Sequence, residues 1–187
     1  MINEIKKQIK ESIAAKEKIP VKKLQKIAKK TINAYKNGCK TIFMGNGGSA
    51  ADAQHLAAEF VARFKIERKA LPSLALHSNT STVTAWSNDY EYDSVYSRQI
   101  EAFAEKGDIV IGISTSGNSE NIIQALKKAK EIGAITIGFT GKDGGKIKKL
   151  CNVLLNIPIE ETPRIQEAHI LMGHIYCDLV EKGLFNS

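Results

Sequence analysis

Five short apolar runs recur along the chain, each followed by a segment long enough for a helix or a turn: KTIFMG (40–45), SLALHS (73–78), DIVIGIS (108–114), AITIGFTG (134–141) and NVLLNIP (152–158). This alternation restricts the fold more than any other feature. Short apolar runs with little polar alternation predict strands covered on both faces. Strands interleaved with helices predict a mostly parallel sheet, because each crossover must return over one face or the other. The expected fold class is therefore α/β, with a five-stranded sheet between two helical layers.

The intervening segments carry helix signals. Residues 2–18 and 22–37 predict two helices broken near Pro20, with Asn37-Gly38 closing the second. Ser49 predicts the start of a third, with Ser49-Ala-Ala-Asp52 as a capping box and an end near Phe64. Residues 80–86 predict a short helix, Asn88-Asp89 a turn, and residues 91–105 another helix. A helix over 119–132 is expected to stop at Gly133. Thr162-Pro163 opens the last one, which runs to about Lys182. No repeat or linker divides the 187 residues. One domain over 1–187 is expected, with residues 1–38 as a helical prelude to the sheet.

Composition narrows the function classes. Hydrophobic residues at 43% and charged residues at 25% suit a soluble globular chain. No apolar run approaches the roughly 18 residues of a membrane span, and the start lacks a signal-peptide core, so a cytoplasmic location is expected. The three cysteines, Cys39, Cys151 and Cys177, match no zinc or redox spacing and read as packed thiols. The net charge of +7 is uneven: residues 1–40 hold 12 Lys and 3 Glu, so the remainder sums to −2. Those lysines interleave with Ile5, Ile9, Ile13, Leu24, Ile27 and Ile32, the pattern of amphipathic helices with a solvated basic face. No aromatic platform accompanies them, so no nucleic-acid partner is expected. The apolar stripes need cover from the sheet or from another subunit.

Ligands of open parallel sheets sit beyond the carboxyl ends of the strands. Two loops there stand out. GNGGSA (45–50) and STSGNS (114–119) each end at a helix start, where free N–H groups favour an anion and glycine permits close approach. Ser114, Thr115, Ser116 and Ser119 add hydroxyls without charge. Neither loop carries the G-K-[ST] of a triphosphate loop or a complete dinucleotide fingerprint. A hydroxyl-rich loop without lysine suits one phosphomonoester; the bland alternative is a capped turn with incidental serines. His55 and Glu59, four apart, share a helix face, which suits a metal ligand pair, a carboxylate base or an ordinary surface pair. The last helix carries Gln166, His169 and His174. Gln166 and His174 lie roughly 80° apart around the helix and about 12 Å along it, so spacing alone does not join them at one ion. His77 and Trp86 read as structural.

The motifs GNGGSAADAQH, GISTSGNS, TGKDGG and RIQEAHILMGH, in that order, resemble the sugar isomerase (SIS) domain and, more narrowly, the bacterial phosphoheptose isomerases. The likeness runs from about residue 20 to 182. It implies a flavodoxin-like α/β/α sandwich assembled as a homotetramer, with active sites between subunits and the N-terminal helices in the assembly. It implies an aldose–ketose isomerase that converts sedoheptulose 7-phosphate to D-glycero-D-manno-heptose 7-phosphate through an enediol, for lipopolysaccharide or other surface glycans. It also assigns roles. Asn46, Gly47, Gly48 and Ser49 line the sugar-phosphate site, and Ser114, Thr115, Ser116 and Ser119 hold the phosphate. Asn88, Asp89 and Gln166 touch substrate. Glu59 and His174 are the catalytic pair, and His55, Glu59, Gln166 and His174 match a zinc site. WSNDYEY (86–92) and VARF (61–64) depart from the commoner family text and bear on how the sugar chain is held. Two rivals share the fold: a tetrameric scaffold for the replication initiator and a sugar-phosphate sensor. The scaffold lacks the Glu59 and His174 equivalents, and no appended DNA-binding helix-turn-helix marks a regulator.

Overall fold

The computed structural model describes residues 1–185. Two helices, α1 (Ile2–Lys16) and α2 (Val21–Lys36), precede the sheet. The sheet follows as β1 (Thr41–Gly45), β2 (Ser73–Ala75), β3 (Ile109–Ser114), β4 (Ile135–Gly141) and β5 (Val153–Ile157). Its helices are α3 (Gly48–Val61), α4 (Thr80–Asp89), α5 (Val95–Phe103), α6 (Glu120–Ile132) and α7 (Thr162–Phe185). The strand order is β2-β1-β3-β4-β5, and every pair is parallel.

Successive strand residues point to opposite faces, and both faces are buried. Phe43, Ile111 and Phe139 pack with α2, α3 and α7, through residues such as Ile27, Leu56 and Met172. Ile42, Met44 and Val110 pack with α5 and α6, through Tyr96, Ile100 and Ile122. The three-layer α/β/α sandwich is as expected. The α2 stripe finds its cover here, with Leu24 and Ile27 in the core. The α1 stripe does not: α1 packs on α7, yet Ile5, Ile9 and Ile13 remain more than half exposed.

Several boundaries differ from expectation, each for a local reason. Gly47, at φ 54° and ψ −124°, caps α3, so the helix opens one residue before Ser49. Ser49 is buried in the first turn and makes no capping bond, so the capping box does not form. Helix α3 stops at Val61 because the N–H groups of Phe64, Lys65 and Ile66 turn to the Glu181 carboxylate instead. The SLALHS ladder ends at Ala75, and residues 76–78 form a 3₁₀ turn. Asn79 caps α4 by accepting from the Thr82 N–H at 3.1 Å, and the helix runs on through Asn88 and Asp89, where a turn was expected. The helix expected over 91–105 begins with a 3₁₀ turn at Tyr92–Ser94 and is α-helical only from Val95 to Phe103. Gly133, at φ 91°, ends α6 in the left-handed region, as predicted.

Candidate active site

The order β2-β1-β3 makes the chain leave β1 in one direction and β3 in the other. The crevice at their carboxyl ends is the reversal point where such sheets bind ligands. GNGGSA and STSGNS are the two loops that flank it. Asn46 and Asn121 bridge them: each side-chain amide donates to the other's carbonyl oxygen at 2.9 Å. Asn121, in the first turn of α6, is 2% exposed. The Tyr92 hydroxyl donates to the same Asn46 oxygen at 2.9 Å.

The serine loop is built to hold its shape. The Ser114 hydroxyl accepts from the Gly117 N–H at 3.1 Å and pairs with the Ser119 hydroxyl at 3.1 Å. The Ser116 hydroxyl accepts from the Asn118 N–H at 3.1 Å. Thr115 and Ser116 are half-buried, and the Thr115 hydroxyl makes no hydrogen bond among the described residues. Behind the loop, the GKDGG turn braces it: Gly141 N–H donates to the Thr115 carbonyl at 2.9 Å, and Ile147 N–H to the Gly117 carbonyl at 3.1 Å. Gly117 has φ 66°, and a Cβ there would strike the Gly144 carbonyl. The loop therefore presents hydroxyls at the positive end of the α6 dipole, a site for an anion.

A second centre lies between α3 and α7. His55 Nε2 is 3.0 Å from Glu59 Oε1 and 3.4 Å from His174 Nε2. One ligand atom from each of the three residues falls within 4.8 Å of the others. The His174 ring lies 5.0 Å from that of His55 and 5.8 Å from that of Phe64. A proton on His55 Nε2 can serve only one of its two neighbours. A cation would satisfy all three lone pairs, so the donor set of two imidazoles and a carboxylate fits a metal ion with a position left open.

Gln166 lies elsewhere along the same two helices. Its side-chain amide lies against Gly48, about two helical turns before His55 along α3. Leu56 meets Gly173 in the same way, so α3 and α7 run parallel, and Gln166 is level with the first ligand loop while His174 is level with His55. Within one chain, three of the four expected metal ligands gather and the fourth faces the GNGGSA loop. Asn88 and Asp89 are exposed at the end of α4, where the Asn88 amide donates to the Asp89 carboxylate at 3.0 Å, and no hydrogen bond ties them to either loop among the described residues.

The remaining histidines behave as structural ones. His169 is fully buried beside Phe139; its Nε2 is 3.1 Å from the Thr140 carbonyl. Burial pushes its imidazole down to about 4, against the pull of that carbonyl. Burial also lowers His77. Asp52, expected only as a capping partner, sits three residues before His55. Burial raises its carboxyl, the neighbouring His55 opposes the rise, and Oδ2 finds no partner among the described residues. Tyr92 and Phe64 close the two segments, WSNDYEY and VARF, that depart from the commoner family text. Asn121 was not singled out, and its one signal is that of a polar residue in the first turn after a ligand loop.

No helix among the described residues is long and apolar enough to cross a membrane. The SIS domain profile matches residues 4–141, which gives the class of protein that the reversed sheet and its two loops define. The chain is 58% identical to the phosphoheptose isomerase of Clostridium acetobutylicum, over 99% of this chain and 97% of that one. The structure of a phosphoheptose isomerase from Neisseria gonorrhoeae superposes with a TM-score of 0.91 at 43% identity, covering 97% of this chain and 100% of that one. That of a phosphoheptose isomerase from Francisella tularensis gives 0.92 at 32% identity, covering 97% and 98%. The chain belongs to the phosphoheptose isomerases of the SIS-domain family.

Proposed function

We propose that this chain interconverts sedoheptulose 7-phosphate and D-glycero-D-manno-heptose 7-phosphate, with Glu59 and His174 as its catalytic pair. The observation that carries the reading is the convergence of His55, Glu59 and His174 on one point. The serine loop and the first turn of α6 hold the phosphate, through Ser114, Thr115, Ser116 and Ser119. Asn46, Gly47, Gly48, Ser49 and Gln166 line the sugar, with Asn88 and Asp89 at its rim.

The reaction moves one proton between adjacent carbons and one between their oxygens. Starting from the ketose, the Glu59 carboxylate takes the C1 proton while His174 delivers a proton to O2. The enediol results. His174 then removes the O1 proton, and the carboxylic acid of Glu59 returns its proton to C2, giving the aldose. Oε1 of Glu59 is paired with His55 at 3.0 Å, and Oε2 is the oxygen proposed to take the carbon proton.

Zinc is the proposed ion, held by His55, Glu59 and His174, and when bound it would supply Lewis-acid polarisation of the carbonyl. The His174 Nε2 lone pair serves either the ion or a proton. Added zinc that raises turnover assigns that nitrogen to the ion, and zinc that inhibits assigns it to the proton. We further propose a homotetramer, with the exposed α1 stripe of Ile5, Ile9 and Ile13 as one of its contact surfaces.

The test is incubation with sedoheptulose 7-phosphate in deuterated water. The expected product is the aldose, with deuterium at C2 to the extent that the proton on Glu59 exchanges with solvent before it is returned. The Glu59→Gln protein, folded, is expected to lose ~10²–10⁴-fold in turnover. No aldose from the parent protein, or parental turnover in Glu59→Gln, would overturn the assignment. Scaffold and sensor readings are not favoured, because both Glu59 and His174 are present and meet in space.

A further inference from the structure

We infer that Glu181 and Arg68, which touch neither ligand loop, are positioning residues for the Glu59–His174 centre. The inference rests on the catalytic reading of that pair. Glu181 lies on α7, seven residues after His174 and therefore on nearly the same helix face, about 10 Å further along. Its side chain is 2% exposed, and that of Arg68 is 1% exposed. A carboxylate withdrawn from water to that degree needs full compensation. Glu181 has it: Oε1 accepts from Phe64 N–H at 2.9 Å and Arg68 Nε at 2.8 Å, and Oε2 from Lys65 N–H at 2.7 Å and Ile66 N–H at 3.0 Å. Burial alone would raise this carboxyl, but these donors together hold it below the ordinary range.

Every one of these bonds ends on the segment that follows α3. Arg68 continues the chain of contacts. Its guanidinium donates to the Glu59 carbonyl at 2.8 Å and to the Phe60 carbonyl at 2.9 Å. These are among the last carbonyls of α3, which no helical N–H can satisfy. One buried ion pair thus caps α3 at the backbone of Glu59 and ties that end to α7. It also fixes Phe64, whose ring lies 5.8 Å from that of His174. His55 and Glu59 belong to one helix and His174 to the other. The pair holds the two helices in the register that brings them together.

A purely structural ion pair and a positioning pair make different predictions. If Glu181 only stabilises the fold, protein that remains folded works normally. If it positions the centre, folded protein loses turnover while the remote phosphate loop keeps substrate affinity. The experiment measures kcat and KM for sedoheptulose 7-phosphate on the full chain carrying Glu181→Gln, with circular dichroism confirming that it is folded at the assay temperature. Zinc affinity is titrated without substrate. The expected result is a loss of ~10–100-fold in kcat, and of similar size in zinc affinity, with KM within about twofold of the parent. A folded variant with kcat within about twofold of the parent overturns the inference, as does a rise confined to KM. Should Glu181→Gln not fold, Phe64→Leu decides. A kcat loss of ~10-fold at constant KM supports positioning, and parental kcat refutes it. Glu59→Gln is assayed beside them. If it is inactive while Glu181→Gln is normal, only the positioning inference falls. If Glu59→Gln itself turns over normally, the catalytic reading fails first.

Discussion

Asn121→Ala tests whether the two ligand loops are held together by a side-chain pair. The substitution deletes both 2.9 Å bonds between Asn46 and Asn121. Each net bond contributes about 0.5–1.5 kcal/mol, and a buried donor left without a partner costs about 1–3 kcal/mol. Asn46 keeps the Tyr92 hydroxyl on its oxygen but loses the only acceptor its amide has within the described residues. Asn46 is half-buried, so water relieves part of that loss, and the low end of the range applies. The sum is about 2–4 kcal/mol. At this chain length each kcal/mol moves Tm by about 2–4 °C, so a fall of roughly 4–16 °C is expected by differential scanning calorimetry at fixed protein concentration. The GNGGSA loop should also lose its set position, and KM for the sugar phosphate should rise about tenfold, the equivalent of ~1.4 kcal/mol. Tyr92→Phe removes one bond at an exposed hydroxyl and should shift Tm by no more than about 4 °C. In a double-mutant cycle, Asn46→Ala with Asn121→Ala should cost about 1–2 kcal/mol less than the separate changes added together. An Asn121→Ala protein with parental Tm and KM, or a coupling near zero, would refute the bridge.

Two further outcomes follow from single positions. Gly117→Ala forces a left-handed residue and drives a methyl into the Gly144 carbonyl; it should cost about 1–3 kcal/mol of stability and raise KM while leaving zinc affinity unchanged, and parental KM would count against the loop as the phosphate anchor. Burial depresses His169 to about 4, below its ordinary 6.5. The unfolded chain therefore binds more protons between those values, so this contribution is complete above pH 6.5, falls with pH and is gone below pH 4. It should cost about 2 kcal/mol between pH 7.5 and pH 5, and His169→Gln should remove that part of the slope in urea melts; identical slopes would refute it.

The fold was legible because its signals are local. Each apolar run announces a strand by itself, and the crossover rule then fixes the sheet as parallel without knowledge of any contact. What escaped were the ends of elements, and the reasons are specific. Ser49 has a capping sequence, but Gly47 can take a positive φ and so starts the helix earlier. Phe64 sits in a helical pattern, yet its N–H is drawn off by a carboxylate 117 residues later. Local propensity loses wherever a distant buried charge competes for the same backbone groups.

The site divides along the same line. His55 and Glu59 are four residues apart on one helix, so their pairing could be read directly, and they meet at 3.0 Å. Asn46 with Asn121 and Arg68 with Glu181 are separated by 75 and 113 residues, and no pattern in the chain joins them. The case of Gln166 and His174 is more instructive. Their spacing on one helix does not by itself join them at one ion. The partner of each residue is on α3, which runs parallel to α7 and advances at the same 1.5 Å per residue. Parallel helices in fixed register keep level pairs level: Gln166 stays at Gly48 and His174 at His55. The same register therefore puts the GNGGSA loop at one end of the helix pair and the His55–Glu59–His174 cluster two turns along it, and a shift of α7 by one turn would bring His174 off His55 while leaving every strand in place.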